Sequence, residues 1–366
     1  ASILSKLGAK VSFWGNRMVL DTSTVSLKNT PSIEEETTNM RASYYLLGTL
    51  LSKFRKVRLA LPGGCNIGAR PIDLHVKGFA ALGAKVSVMN GYIELEADRL
   101  VGDRIYLDVV SVGATINIML AAVLAKGVTV IENAAKEPHV VDIANFLNLA
   151  GANIRGAGTD VIKVAGVPSL NPVSYSVIPD QITAGTYMIC AAATEGNVLV
   201  KGVIPKHLEA ITTKLVEMGC EVAEYDDSVR VIGRRPLRSI TLKTMPYPGF
   251  PTDLQQPMGV LMSIARGNSK IQENIWENRF AYLEELKKMG AESEVSGKAA
   301  FITGKERLYS ARIQSTDLRA GAAMIIAGLI AEGTTEITDL KHIDRGYDNI
   351  VEVLKSLGSD IARVNE

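Results

Sequence analysis

At 366 residues the chain exceeds what one hydrophobic core usually supports, so two domains are expected. With 47% hydrophobic and 22% charged residues it reads as a soluble globular protein rather than a disordered one. A net charge of +1 removes the overall basic footprint of a protein that coats nucleic acid, so any anion site must be local. Three separated cysteines and four histidines make neither a disulfide framework nor a metal-ligand pattern. No apolar run is long enough to span a bilayer. A reducing cytoplasm, no cofactor or structural metal, and no nucleic-acid or membrane partner are therefore expected.

The chain opens on LSKLGAKV, and the phrase returns as FAALGAKV, LNLAGANI, LVEMGCEV, LKKMGAES and LKSLGSDI. Its glycines are Gly8, Gly83, Gly151, Gly219, Gly290 and Gly358, spaced 68 to 75 residues apart. Each copy predicts the end of an amphipathic helix, a glycine in the left-handed C-terminal cap, and a short strand. A turn and a second alternating strand follow, as in KVSVMNGYIELEA, EVAEYDDSVRVIG and the longer NIRGAGTDVIKVAG.

A second phrase lies upstream of the last five copies: a polar start, a helix of small and apolar residues, a turn and a β-branched strand. It begins NMRASYYLLG, SVGATINIML, DQITAGTYMI, TDLQQPMGVL and TDLRAGAAMI. The whole unit reads helix, strand, helix, strand, strand. The expected protein is thus α/β, built of six repeated βαβαββ-type units, three in each of two domains at 1–177 and 178–366. Its first unit begins part-way through and its sixth stops before the last hairpin.

The small-residue helices are apolar on all sides, which predicts burial. Their first turns carry Arg41, Ser111 with Gly113, Asp180, Asp253, and Asp317 with Arg319. Buried helix starts present free N–H groups and a positive dipole end, so they are seats for anions. The three aspartates read first as capping carboxylates. Arg41 opposes the dipole and so suggests a bound anion. In LPGGCNIGARPIDLH, Cys65 sits among glycines five residues before Arg70. Alone it would read as an inert apolar residue; a cation folded back onto it would activate the thiol. Cys190 and Cys220 read as core residues.

These units, with LPGGCNIGARPIDLH, SVGAT, FPTDLQ, ENRF, STDLRA and HIDRGYD, closely resemble the UDP-N-acetylglucosamine 1-carboxyvinyltransferases over the whole chain. The resemblance implies two inside-out α/β domains, each of three units around buried parallel helices. It implies transfer of enolpyruvyl from phosphoenolpyruvate to the 3-hydroxyl of UDP-N-acetylglucosamine with release of phosphate, the opening step of peptidoglycan synthesis. Two anionic substrates demand several guanidinium groups. By motif, Cys65 is the thiol alkylated by fosfomycin. Arg70 and Arg345 bind phosphoenolpyruvate and the leaving phosphate, assisted by Arg41. Asp253 is the general base beside the sugar hydroxyl. Arg70, Pro71, Asp73 and Leu74 fall on the uridine side, Ser111, Val112 and Gly113 on the diphosphate, Ile275 in the sugar pocket, and Asp317 as a second cleft carboxylate.

The chain departs from the family pattern in four places. The Gly-Ala-Lys-Asn motif has no counterpart, Gln181 and Thr183 stand where an arginine and a glutamate are expected, and Val109 stands where some members have a basic residue near the diphosphate. Besides an active member, a catalytically inactive relative that binds nucleotide sugar therefore stays open. A 3-phosphoshikimate enzyme ranks below both, because it would lack the Gly-Gly-Cys loop. Oligomeric state is not legible.

Overall fold

A computed structural model describes residues 1–15, 17–27, 33, 37, 40–61 and 72–364. Cys65, Arg70 and Pro71 lie outside the described residues, and Arg41 is described by its backbone alone. The chain divides into two compact units that meet in sequence between Val177 and Ile178.

In the first unit, α1 (Ser2–Lys6) leads into an antiparallel hairpin of Lys10–Trp14 with Arg17–Asp21. Helix α2 (Tyr45–Phe54) is entered through a 3-10 turn at Arg41–Tyr44, and α3 (Asp73–Ala81) follows. A three-stranded antiparallel sheet places Tyr92–Glu96 between Lys56–Ala60 and Lys85–Met89. Helix α4 (Val112–Ala122) is followed by α5 (Pro138–Leu149). A four-stranded sheet runs Arg104–Tyr106, Val128–Glu132, Val161–Ala165, Asn153–Arg155, its first pair parallel and the others antiparallel.

The second unit repeats this grammar. Helices α6 (Gln181–Ala193) and α7 (Glu209–Met218) accompany a three-stranded sheet centred on Ser228–Ile232. Helices α8 (Gln255–Ser263) and α9 (Tyr282–Lys288) accompany a four-stranded sheet of Thr241–Lys243, Asn268–Gln272, Ala299–Thr303 and Glu292–Ser296. Helix α10 (Leu318–Ile330), the one-turn α11 (Lys341–Asp344) and α12 (Ile350–Ser356) complete it, with two short parallel strand pairs. All six repeat glycines have the positive φ the cap requires, between 89° and 102°.

Each unit has its own core, and the small-residue helices run through it. Every residue of α8 is buried, as are eight of the eleven in α4. Glycine permits this closeness: a Cβ on Gly48 of α2 would lie 2.4 Å from the Asn117 carbonyl oxygen of α4. The strands instead keep one exposed edge or face, as in the alternating burial of Lys56–Ala60. Helices inside and sheets outside make each unit an inside-out α/β domain.

Cys190 lies in α6 and Cys220 follows the Gly219 cap; both are buried. Burial pushes the Cys190 thiol up to about 11 and that of Cys220 above its usual value. A thiolate is the reactive form, so neither should react with a chromogenic disulfide reagent at pH 8 while the chain is folded. In a Cys65→Ala variant, the two remaining thiols should appear only on adding denaturant; a rapid native reaction would contradict the packing described.

Candidate active site

In the second unit the three aspartates stand just before α6, α8 and α10, and they do different jobs. Asp180 caps α6, its Oδ1 accepting from Ile182 N–H at 2.8 Å. Asp317 caps α10, accepting from the N–H groups of Arg319 and Ala320 at 2.9 and 3.0 Å. Its other oxygen accepts from the Gln256 amide of α8 at 3.2 Å. Asp253 caps nothing. It sits in a 3-10 turn, Thr252–Leu254, before α8, and each of its oxygens takes a different guanidinium. Arg279 Nη2 donates to Oδ1 at 2.7 Å and Arg319 Nε to Oδ2 at 3.1 Å. The capping expectation thus holds for Asp180 and Asp317 and fails for Asp253. A guanidinium brings its own charge to a carboxylate and a backbone amide does not, so two arginines in reach are the stronger partners.

Arg279 is 3% exposed and Arg319 14%, whereas Asp253 is 40% exposed. The two cations are therefore held from below by the protein and the carboxylate faces outward. Arg319 lies in the first turn of α10, where the helix dipole opposes a positive charge. Burial alone would lower its pKa, but the Asp253 carboxylate and the Tyr347 hydroxyl hold it above its usual value. Its Nη1 donates to Tyr347 Oη at 3.1 Å, and that hydroxyl lies 2.9 Å from Thr186 Oγ1 of α6. Thr186 donates to Ile182 O, so Tyr347 must donate to Thr186, which leaves its lone pairs to Arg319. The polarity of the chain is thereby set from helix backbone to guanidinium. Arg345, two residues before Tyr347, ends α11 with an exposed side chain. Ile275 is half-buried, and its N–H donates to the buried carboxylate of Glu273 at 2.8 Å.

In the first unit, Asp73 opens α3 with an exposed side chain, while Leu74 is 6% exposed and packs in the core. Ser111 caps α4, its Oγ accepting from Ala114 N–H at 3.3 Å. Val112 and Gly113 occupy the first turn, where N–H groups lack helical acceptors. The starts of α3 and α4 lie together: a Cβ on Gly113 would be 3.2 Å from His75 Nε2. Asn117 ties them to α2, accepting from Gly48 N–H at 3.0 Å and donating to Tyr44 O at 2.9 Å. The same amide lies 3.0 Å from His75 Nδ1, which places the ring proton on Nε2.

The structure thus gathers Asp253 and Asp317 in one cluster, and Asp73, Ser111, Val112 and Gly113 in another. The sequence assigns no role to Arg279, Arg319, Tyr347 or Glu273. ENRF and STDLRA contain both arginines, yet nothing in their spacing marks them as partners of one carboxylate.

A family model described as EPSP synthase (3-phosphoshikimate 1-carboxyvinyltransferase) matches residues 1–354. The chain is 58% identical over 366 residues to UDP-N-acetylglucosamine 1-carboxyvinyltransferase 3 of Caldanaerobacter subterraneus subsp. tengcongensis, covering all of this chain and 87% of the relative. It is 56% identical over 362 residues to UDP-N-acetylglucosamine 1-carboxyvinyltransferase of Clostridium botulinum, covering 99% and 87%. Among solved structures it is similar to the enolpyruvyl transferase NikO from Streptomyces tendae. There the TM-score is 0.86, with 26% identity and coverage of 99% and 86%. An EPSP synthase from Acinetobacter baumannii, at 18% identity, TM-score 0.70 and coverage of 97% and 85%, shares the fold.

Proposed function

We propose that this chain, which belongs to the UDP-N-acetylglucosamine 1-carboxyvinyltransferase family of enolpyruvyl transferases, works through the carboxylate that Arg279 and Arg319 grip. It is a transferase that moves enolpyruvyl from phosphoenolpyruvate to the 3-hydroxyl of UDP-N-acetylglucosamine and releases phosphate. The reaction begins peptidoglycan synthesis, and a cytoplasmic location is part of this reading. Among the described residues no helix is long and apolar enough to cross a membrane.

The observation that carries the assignment of roles is the double guanidinium contact to Asp253. Each carboxylate oxygen keeps a lone pair beyond its arginine contact, so the group can still accept a proton. Asp253 takes the proton of the sugar 3-hydroxyl as oxygen attacks C2 of phosphoenolpyruvate, while C3 is protonated. A tetrahedral intermediate forms; loss of a C3 proton then expels phosphate and regenerates the double bond. Arg70 and Arg345 bind the phosphoenolpyruvate carboxylate and phosphate, assisted by Arg41, and Cys65 is the fosfomycin-sensitive thiol. Asp73 and Leu74, with Arg70 and Pro71, serve the uridine, and Ser111, Val112 and Gly113 the diphosphate. Ile275 lines the sugar pocket and Asp317 is the second carboxylate. Residues 1–177 and 178–366 are the two transferase domains.

Phosphate release tests the reading. Release is expected only when UDP-N-acetylglucosamine and phosphoenolpyruvate are both present, and fosfomycin should abolish it through Cys65. Release with shikimate 3-phosphate in place of the nucleotide sugar would overturn the substrate assignment. Binding of the nucleotide sugar without release would favour the inactive relative.

A further inference from the structure

Glu273 directly follows the strand Asn268–Gln272, and its carboxyl group is wholly buried, at 0% exposure, and meets four neutral donors. Its Oε1 accepts from Thr244 Oγ1 at 2.8 Å and from the N–H groups of Ile275 and Trp276 at 2.8 and 3.2 Å. Its Oε2 accepts from Thr252 Oγ1 at 3.0 Å. Thr244 Oγ1 in turn accepts from Asn274 N–H at 2.9 Å, so the loop after the strand folds around its own acid. Four donors satisfy its two oxygens, which is what lets so polar a group be buried here.

The four donors come from the end of one strand, the loop carrying Ile275, and the turn carrying Asp253. We propose that Glu273, through Thr252, is a positioning residue for Asp253, and that its contacts to Ile275 and Trp276 hold the sugar-pocket loop in the same register. The inference rests on the role given to Asp253. Arg279 and Arg319 hold that carboxylate at its tip, whereas the Thr252 strut holds the backbone from which it projects. With both ends fixed, the side chain keeps one direction; with only its tip held, the turn can shift while the ion pairs follow it.

Thr252→Val removes the donor and keeps the shape. It should lower kcat about tenfold, the scale of a displacement of a fraction of an ångström, with KM for both substrates within about twofold of the parent. Thr252→Ser should restore kcat. Glu273→Gln can keep its three donors on Oε1 while changing the contact to Thr252, so the Glu273→Gln, Thr252→Val double variant should lose little beyond the worse single variant. Unchanged kcat in Thr252→Val, or additive losses in the double variant, would overturn the proposal. Hydrogen exchange separates this from failure of the functional reading. Even if the parent releases no phosphate, Thr252→Val should speed exchange at the Leu254 amide, and no change there would remove the strut independently of turnover.

Discussion

Asp253→Asn should lower kcat by about a thousandfold, the scale of a lost general base. An amide cannot take the proton of the sugar hydroxyl, and it also breaks the local charge pattern. Its oxygen can keep the bond from Arg279, but its NH2 then faces Arg319 Nε–H, donor against donor. The half-buried Arg319 guanidinium keeps Tyr347 and loses its carboxylate. A stability loss of about 1–3 kcal/mol should follow, visible as a modest fall in Tm. Asp253→Glu separates the two effects: charge is retained and the oxygens move by about one bond length, so the loss should be nearer a hundredfold. Steady-state phosphate release and calorimetry on the same samples check both numbers. Turnover of the asparagine variant within tenfold of the parent would remove Asp253 from the base role.

Gly304→Ala should destabilise the second unit by about 3 kcal/mol or more, through the hairpin end rather than the site. Gly304 follows the strand Ala299–Thr303, and its N–H donates to Gly267 O at 2.9 Å. A Cβ there would lie 1.4 Å from the backbone oxygen of Ala265, which cannot move without displacing the end of α8. The same device recurs at Gly166, 1.6 Å from Ala125 O, and in a looser form at Gly233, 2.7 Å from Ala191 O. A graded series is expected, with Gly233→Ala milder than Gly304→Ala. Gly328→Ala in α10 is the control, because its Cβ would meet Thr335 at an ordinary 3.4 Å. At about 2–4 °C per kcal/mol, Gly304→Ala should lower Tm by about 6–12 °C while Gly328→Ala leaves it near the parent. Equal melting of all three would mean that the close approach is not a constraint.

Gln181, Thr183 and Val109, where the resemblance leads to an expectation of charged residues, have local places in the structure. Gln181 opens α6 behind the Asp180 cap, and Thr183 donates its hydroxyl to Asp180 Oδ2 at 2.9 Å. Val109 is exposed.

The sequence by itself determined the repeat and the buried helices. A glycine after an amphipathic helix must take positive φ to close the cap, and a helix apolar on every side has nowhere stable except a core; both are local demands written in adjacent residues. It also determined that Asp180 and Asp317 stand where first-turn N–H groups need acceptors. Only the tertiary structure decided that Asp253 is not a cap. Its partners lie 26 and 66 residues away, on a loop after one strand and on the first turn of another helix, and no periodicity links the three. The same holds for Glu273: the parallel strand pair brings Thr244 beside it, and Thr252 reaches it from the 3-10 turn before α8. A buried polar group is settled by whichever donors the packing delivers to it, a property of the fold rather than of any segment.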